Sequence, residues 1–145
     1  KNKLPKYISS FPVKKKDLGK AIIENQNNLK KIIKIVHPLV RTNMNKFFKK
    51  NKKKKMVVLD IPLLLENKIN KKNYILVFVD SNKKEIQKRL KKRANYNSVI
   101  LNKLKKIQLP LEIKKKKSKF LIKNNFKSSY VRKNVKVLKS KILAK

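Results

Sequence analysis

"MVVLDIPLLLEN", residues 56–67, is the stretch that decides the fold. Four lysines, Lys52 to Lys55, lead into it. Met56–Leu59 is short, valine-rich and apolar without alternation, which is the pattern of a strand covered on both faces in a parallel sheet. The strand pattern ends on Asp60, and Ile61, Pro62, three leucines and Glu66 follow. "NYILVFVD", residues 73–80, repeats the pattern and again ends in Asp, and "KFLIKN", residues 119–124, is a weaker third case. Helical patterns lie between and after them: 82–93, 97–108, the segment after Pro110, and about 130–143 with Val131, Val135, Leu138 and Ile142. Strands alternating with helices give an α/β sheet. In such sheets ligands gather at the carboxyl ends of the strands, where Asp60 and Asp80 stand.

The N-terminal third reads as helical. Residues 1–15 hold two prolines and little periodicity, so they read as a loop. Leu18, Ile22, Leu29, Ile32, Ile33 and Val36 fit two short helices broken near Asn25–Asn28. His37-Pro38 is expected to interrupt, because the residue before proline is pushed out of the α region. A new helix then runs to about Lys50, burying Leu39, Val40, Met44, Phe47 and Phe48. Phe11 is also expected in the core.

Charge is the most unusual property of the chain. In 145 residues, 44 Lys+Arg face 7 Asp+Glu, a formal net charge of +37. Such repulsion opposes compaction and favours anionic partners, nucleic acid first among them. Yet 40% of residues are hydrophobic and patterned, which argues against wholesale disorder. Arg stands only at 41, 89, 93 and 132, and Asn is abundant while Gly occurs once. That is the drift of an AT-rich coding sequence over a solvated surface, so each retained Arg points to a bidentate contact. With no Cys and one His, thiolate and most transition-metal sites are excluded. No apolar run approaches the roughly 18 residues of a membrane span and no signal peptide is visible, so the expected location is cytoplasmic.

"VVLDIPLLLE" (57–66) resembles the signature segment of the dephospho-coenzyme A kinases. Other segments agree in the same order. "DLGKAIIENQNNLKKIIKIVHPLVR" (17–41) is similar to that family's segment ending in His-Pro-x-Val-Arg, and "EIQKRLKKR" (85–93) to its lid entry. "IQLPLEIKKKKSKFLIKNN" (107–125) is similar to its final third. The resemblance implies a P-loop NTPase-type parallel sheet with flanking helices, a helical substrate-binding region and a lid. It divides the chain into a coenzyme-binding region 1–51, core strands and a connecting helix 52–88, a lid 89–115, and a last strand and helix 116–145. It implies transfer of the γ-phosphoryl of ATP, with Mg²⁺, to the 3′-hydroxyl of dephospho-coenzyme A by a protein that is monomeric when intact and has no specific nucleic-acid partner.

Roles follow residue by residue from the resemblance. Arg89 and Arg93, one helical turn apart, would close over the ATP phosphates. Lys114 and Asn124 join them at ATP, with Asn124 alternatively a turn residue. His37 and Arg41 would contact the coenzyme, with His37 alternatively a helix cap. Asp60 would order Mg²⁺ through water or simply cap its loop. Pro62, Leu63 and Leu64 would shape the pocket wall, and Glu66 would contact substrate or cap.

The departures from the family are equally specific. A G-x-x-x-x-G-K-[ST] phosphate loop cannot be present in a chain whose one glycine is Gly19. The family's general-base Asp would precede Lys1, Lys14-Lys15 stands for Asp-Arg, Lys119 for Asp, and Phe126 for a glycine. The chain also lacks an initiating Met, so it is expected to be an N-terminally truncated fragment, its central strand missing, folding poorly and inactive by itself. The alternatives are a basic nucleic-acid-binding, ribosome-associated protein, with Tyr96, Phe120, Phe126 and Tyr130 as stacking platforms, or a degenerate paralogue that only binds.

Overall fold

A computed structural model describes residues 4, 6–8 and 10–144, so the loop expected at 1–15 lies partly outside the described residues. The element order is α1 (Lys15–Glu24), α2 (Gln26–Lys50), β1 (Val77–Ser81), α3 (Lys83–Lys91), α4 (Ser98–Lys106), α5 (Leu111–Lys117), β2 (Phe120–Asn124) and α6 (Ser128–Leu143). They form two compact units, a helical one (residues 1–53 and 97–107) and a sheet-bearing one (54–96 and 108–145). Among the described residues no helix is long and apolar enough to cross a membrane.

In the helical unit α1 packs against α2 and α4. The break expected near Asn25 is present. The Asn25 side chain accepts the N–H of Asn27 at 2.8 Å and caps α2. Buried Asn28 donates its Nδ2 to the carbonyl of Ala21, itself fully buried, at 3.0 Å. The Lys103 ammonium of α4 donates to the carbonyls of Ile22 (3.0 Å) and Ile23 (2.8 Å), which the end of α1 leaves without intrahelical partners. A Cβ on Gly19 would lie 3.3 Å from Ile100 Cδ1, so α1 and α4 come close at the chain's one glycine.

The expected interruption at His37-Pro38 does not occur: α2 runs unbroken through Pro38. An interior proline loses a hydrogen bond and costs about 3 kcal/mol. Against that, Leu29, Ile33, Val36, Val40, Met44 and Phe48 continue one stripe at helical spacing across the proline, and a break would split it. Leu29 and Met44 are the buried residues of that stripe. Leu39, Phe47 and Phe11 were expected in the core but are exposed, at 61%, 40% and 67%. Leu39 lies off the stripe, and Phe47 tilts against Phe48 near the helix end, with ring centroids 6.4 Å apart.

In the other unit β1 and β2 pair in parallel, Val77 beside Phe120 through Ser81 beside Asn124, and α6 packs on β2. The ladder begins where Lys119 N–H donates to the Leu76 carbonyl at 2.9 Å. Ile122 is buried at its centre. Asn82 caps α3 by accepting the N–H groups of Lys84 (2.9 Å) and Glu85 (3.3 Å). Met56–Leu59, the segment with the clearest strand pattern, joins no ladder, and Val58 is 76% exposed. A strand exists only through its partner, and no described segment pairs with this one.

Asn28→Ala is expected to lower stability by about 1 kcal/mol, the net worth of one hydrogen bond. The loss stays near that value because the Ala21 carbonyl keeps a second donor, the N–H of Asn25 at 3.2 Å. Urea unfolding followed by circular dichroism checks it, with Asn27→Ala as an exposed control within about 0.5 kcal/mol of wild type.

Candidate functional site

The "IPLLLE" segment folds as a tight loop. Pro62 fixes its own φ, and Leu63 follows at φ 57°, a left-handed conformation that costs an L residue about 1–2 kcal/mol. Asn67 holds that turn by donating its backbone N–H (3.1 Å) and its Nδ2 (2.8 Å) to the Leu63 carbonyl. The loop then closes as a helix end does. Ile69 N–H reaches the Leu64 carbonyl at 3.1 Å, Lys68 N–H reaches that of Leu65 at 3.2 Å, and Lys68 sits at φ 50°. This is the Schellman pattern, and buried Ile69 anchors it.

The loop presents Glu66 to the segment around α5. The Glu66 carboxylate, 9% exposed, pairs with the Lys114 ammonium at 2.7 Å and accepts the Leu109 N–H at 2.9 Å. Burial is the largest single influence on this carboxyl and raises its pKa. The Lys114 hydrogen bond, its own backbone N–H, the Leu109 N–H and the Lys114 charge together outweigh burial, holding Glu66 below the usual carboxylate range. The pair borders a cleft of about 190 Å³ walled by Leu63, Leu64, Leu76 and Phe78. Ligand sites usually run to about 300–1,000 Å³, so this cleft takes part of a ligand rather than a whole nucleotide.

A second cluster lies at the carboxyl ends of the strands. Asn124, the last residue of β2, accepts the Phe126 N–H on its side-chain oxygen at 2.8 Å, so the turn role offered for it is realised. Phe126 adopts φ 62°. Its ring carries the Arg89 guanidinium, whose central carbon lies 4.1 Å from the ring centroid. Arg89 Nε also donates to Glu85 one turn back along α3, at 3.1 Å.

The structure therefore brings Leu63, Leu64, Glu66 and Lys114 together at the cleft, and Arg89 and Asn124 together around Phe126. Arg93 does not share a helical face with Arg89 as expected. The helix stops at Lys91, and Arg93 lies past the C-cap, its N–H donating to the Leu90 carbonyl at 3.1 Å. Pro62 and Asp60 are exposed and stand outside the cleft lining. His37 and Arg41 belong to the helical unit, one turn apart on α2. His37 lies in the helix interior, so the cap offered for it has no place. The sequence reading missed the Glu66–Lys114 pair, the Leu76 and Phe78 walls, and the contact of the Phe126 ring with Arg89. Only Phe126 left a signal, as a bulky residue where the resemblance calls for glycine. Among the described residues no three His, Cys, Asp or Glu side chains gather to hold a metal. Asp60 alone suits an ion that keeps its waters and leans on phosphate oxygens, as Mg²⁺ does.

Glu66→Gln keeps an oxygen for Leu109 but leaves Lys114 without its counter-charge, and is expected to cost about 1–3 kcal/mol at pH 7. Because the folded carboxyl titrates below its unfolded value, the wild-type advantage is complete above the ordinary Glu range. It is lost as pH falls through the lowered folded value. Denaturant unfolding of both proteins from pH 7 to pH 3 should show the two stabilities converging at the acid end.

Comparison with known proteins supports the kinase reading and not the nucleic-acid alternative. The chain matches the dephospho-CoA kinase family over residues 12–129. The dephospho-CoA kinase of Wolbachia pipientis wMel is 32% identical over 134 residues, covering 91% of this chain and 68% of the relative. That of Fusobacterium nucleatum is 33% identical over 114 residues, 78% of this chain and 58% of the relative. That of Leptospira interrogans is 29% identical over 132 residues, with 90% and 63% covered. This chain thus spans 58–68% of the length of these relatives. Residues 12–129 take in both the "IPLLLE" loop and the Arg89–Phe126 cluster, and on that match the chain belongs to the dephospho-CoA kinase family.

Proposed function

We propose that this chain serves the ATP-dependent phosphorylation of the 3′-hydroxyl of dephospho-coenzyme A, on a P-loop-type parallel sheet. The observation that carries the reading is the position of Arg89. It follows β1 on α3 and gathers with Asn124 at the carboxyl edge of the parallel pair, within the segment the family matches. Phosphoryl transfer asks for positioning and charge stabilisation rather than a covalent nucleophile. Arg89 offers a planar, permanent cation whose terminal amino groups match phosphate oxygens two at a time.

The other roles follow the same logic. Lys114 and Arg93 add positive charge for the triphosphate from the lid region, 89–115, and Asn124 shapes the ATP end of the sheet. Lys114 is paired with Glu66 in the structure, so an incoming phosphate competes with that carboxylate for it. Pro62, Leu63 and Leu64 form the wall against dephospho-coenzyme A with Glu66 beside them, and His37 and Arg41 on α2 are separate candidates for coenzyme contact. Mg²⁺ arriving with ATP would be held by phosphate oxygens and, through water, by Asp60, and it would neutralise phosphate charge. We place the reaction in the cytoplasm and take the intact protein to be monomeric.

The test is the full-length protein incubated with ATP and dephospho-coenzyme A, with the 3′-phosphorylated product followed by mass spectrometry. Formation of coenzyme A supports the reading, and its absence from well-folded protein overturns it. Arg89→Ala is expected to reduce kcat/KM by roughly 10²–10³, the cost of one missing charge-stabilising donor. Arg89→Lys should recover part of that loss, since it restores charge without the planar fork.

A further inference from the structure

We propose that Phe126 is a positioning residue that seats the Arg89 guanidinium for phosphate recognition, which rests on the kinase reading above. The contact is short. At 4.1 Å from the ring centroid the guanidinium lies well inside the roughly 6 Å range of a cation–π interaction. It is also oriented. The Glu85 carboxylate takes Nε at 3.1 Å, while the guanidinium carbon lies over the Phe126 ring. Neither contact uses the terminal amino groups, which are the ones that recognise phosphate bidentately. The Arg89 side chain is 53% exposed. A long, exposed arginine samples many rotamers, and contacts to both a ring and a carboxylate narrow them before any ligand arrives.

The backbone makes the case stronger than the contact alone. Phe126 stands at φ 62°, in the left-handed region that disfavours any residue with a Cβ and suits glycine. Propensity therefore gives no reason for a phenylalanine there. The Asn124 side chain holds the turn through the Phe126 N–H, and Asn125 accepts the Lys127 N–H at 3.0 Å just beyond it. The turn follows directly on β2, whose last residue lies beside Ser81 at the end of β1. The ring is thus placed at the carboxyl edge of the sheet, where α3 brings Arg89.

That conflict between backbone and ring supplies a test that separates positioning from structure. Phe126→Gly relieves the backbone and removes the ring, so in the full-length protein it should leave the melting temperature unchanged or raise it. The KM for ATP should rise roughly three- to fivefold, as expected for loss of a partly exposed cation–π contact. The KM for dephospho-coenzyme A should stay within twofold. Phe126→Leu should behave like Phe126→Gly towards ATP, and Phe126→Tyr should retain the wild-type value. In an Arg89→Ala background Phe126→Gly should have no further effect on the KM for ATP. An unchanged or lowered KM for ATP in both Phe126→Gly and Phe126→Leu, or an equal effect in the Arg89→Ala background, overturns the role of Phe126 alone. Failure of the wild-type protein to transfer phosphate overturns the kinase reading, and this role with it.

Discussion

The parallel pairing of β1 with β2 is the constraint on which the rest of the site depends. Two strands running the same way cannot be joined by a tight turn and need a long crossover between them. Here residues 82–119 supply it, and that stretch holds α3, α4 and α5. The register sets Ser81 beside Asn124, so the exits from both strands fall at one edge. Asn82 caps α3 immediately after one exit, and the Asn124–Phe126 turn follows the other. Arg89 meets Phe126 because those two exits are neighbours. A slip of one residue in the ladder would turn each side chain to the opposite face and part them.

Charge operates on this frame in two different ways. Most of the positive excess is solvated, and the exposed pairs Lys6–Glu24 and Lys115–Glu112 add little in water. The Glu66–Lys114 pair is different, since both side chains are largely buried and a backbone N–H completes the carboxylate's bonding. It ties the "IPLLLE" loop to α5 and sets the local polarity of the cleft. The abundance of asparagine is also put to use. Asn25, Asn82 and Asn97 each cap a helix with the side-chain oxygen, and Asn51 and Asn67 donate to carbonyls four residues back. A composition that looks like drift therefore still satisfies the helix ends.

What could be read in the sequence was what depends on local pattern. The α/β class, strands near 73–80 and 119–124 in a parallel sheet, the helix break near Asn25–Asn28 and the helices over 82–93, 97–108 and after Pro110 follow from hydrophobic periodicity, and the structure adds that 77–81 pairs directly with 120–124. What escaped depends on partners distant in sequence. Met56–Leu59 has the clearest strand composition of all and forms no ladder, because composition cannot supply the neighbouring strand. Pro38 was weighed by its local cost alone, whereas α2 runs through it with Leu29 buried on one side and Met44 on the other. Arg93 lost its place beside Arg89 because α3 ends at Lys91, two residues short of Arg93. The Glu66–Lys114 pair joins positions 48 residues apart in a chain crowded with lysines, and although the resemblance singles out Lys114, no sequence signal marks it as the partner of Glu66.

The distribution of backbone strain points the same way as the chemistry. The chain's one glycine lies inside α1, where its lack of a Cβ serves close packing against Ile100. Among the described residues, the left-handed positions fall to Leu63, Lys68 and Phe126. Each would be relaxed by glycine. Two of them shape the loop that presents Glu66, and the third seats Arg89. Such conformations persist only where surrounding bonds over-determine them, and here Asn67, the Schellman closure and Asn124 do so. Local preference has thus been overridden three times, each time beside the cleft or the arginine seat. Elsewhere among the described non-glycine residues the backbone keeps to negative φ. The strained turns coincide with the two places where the chain gathers its candidate site residues in the sheet-bearing unit, which is where a phosphate-handling function would need fixed rather than adaptable geometry.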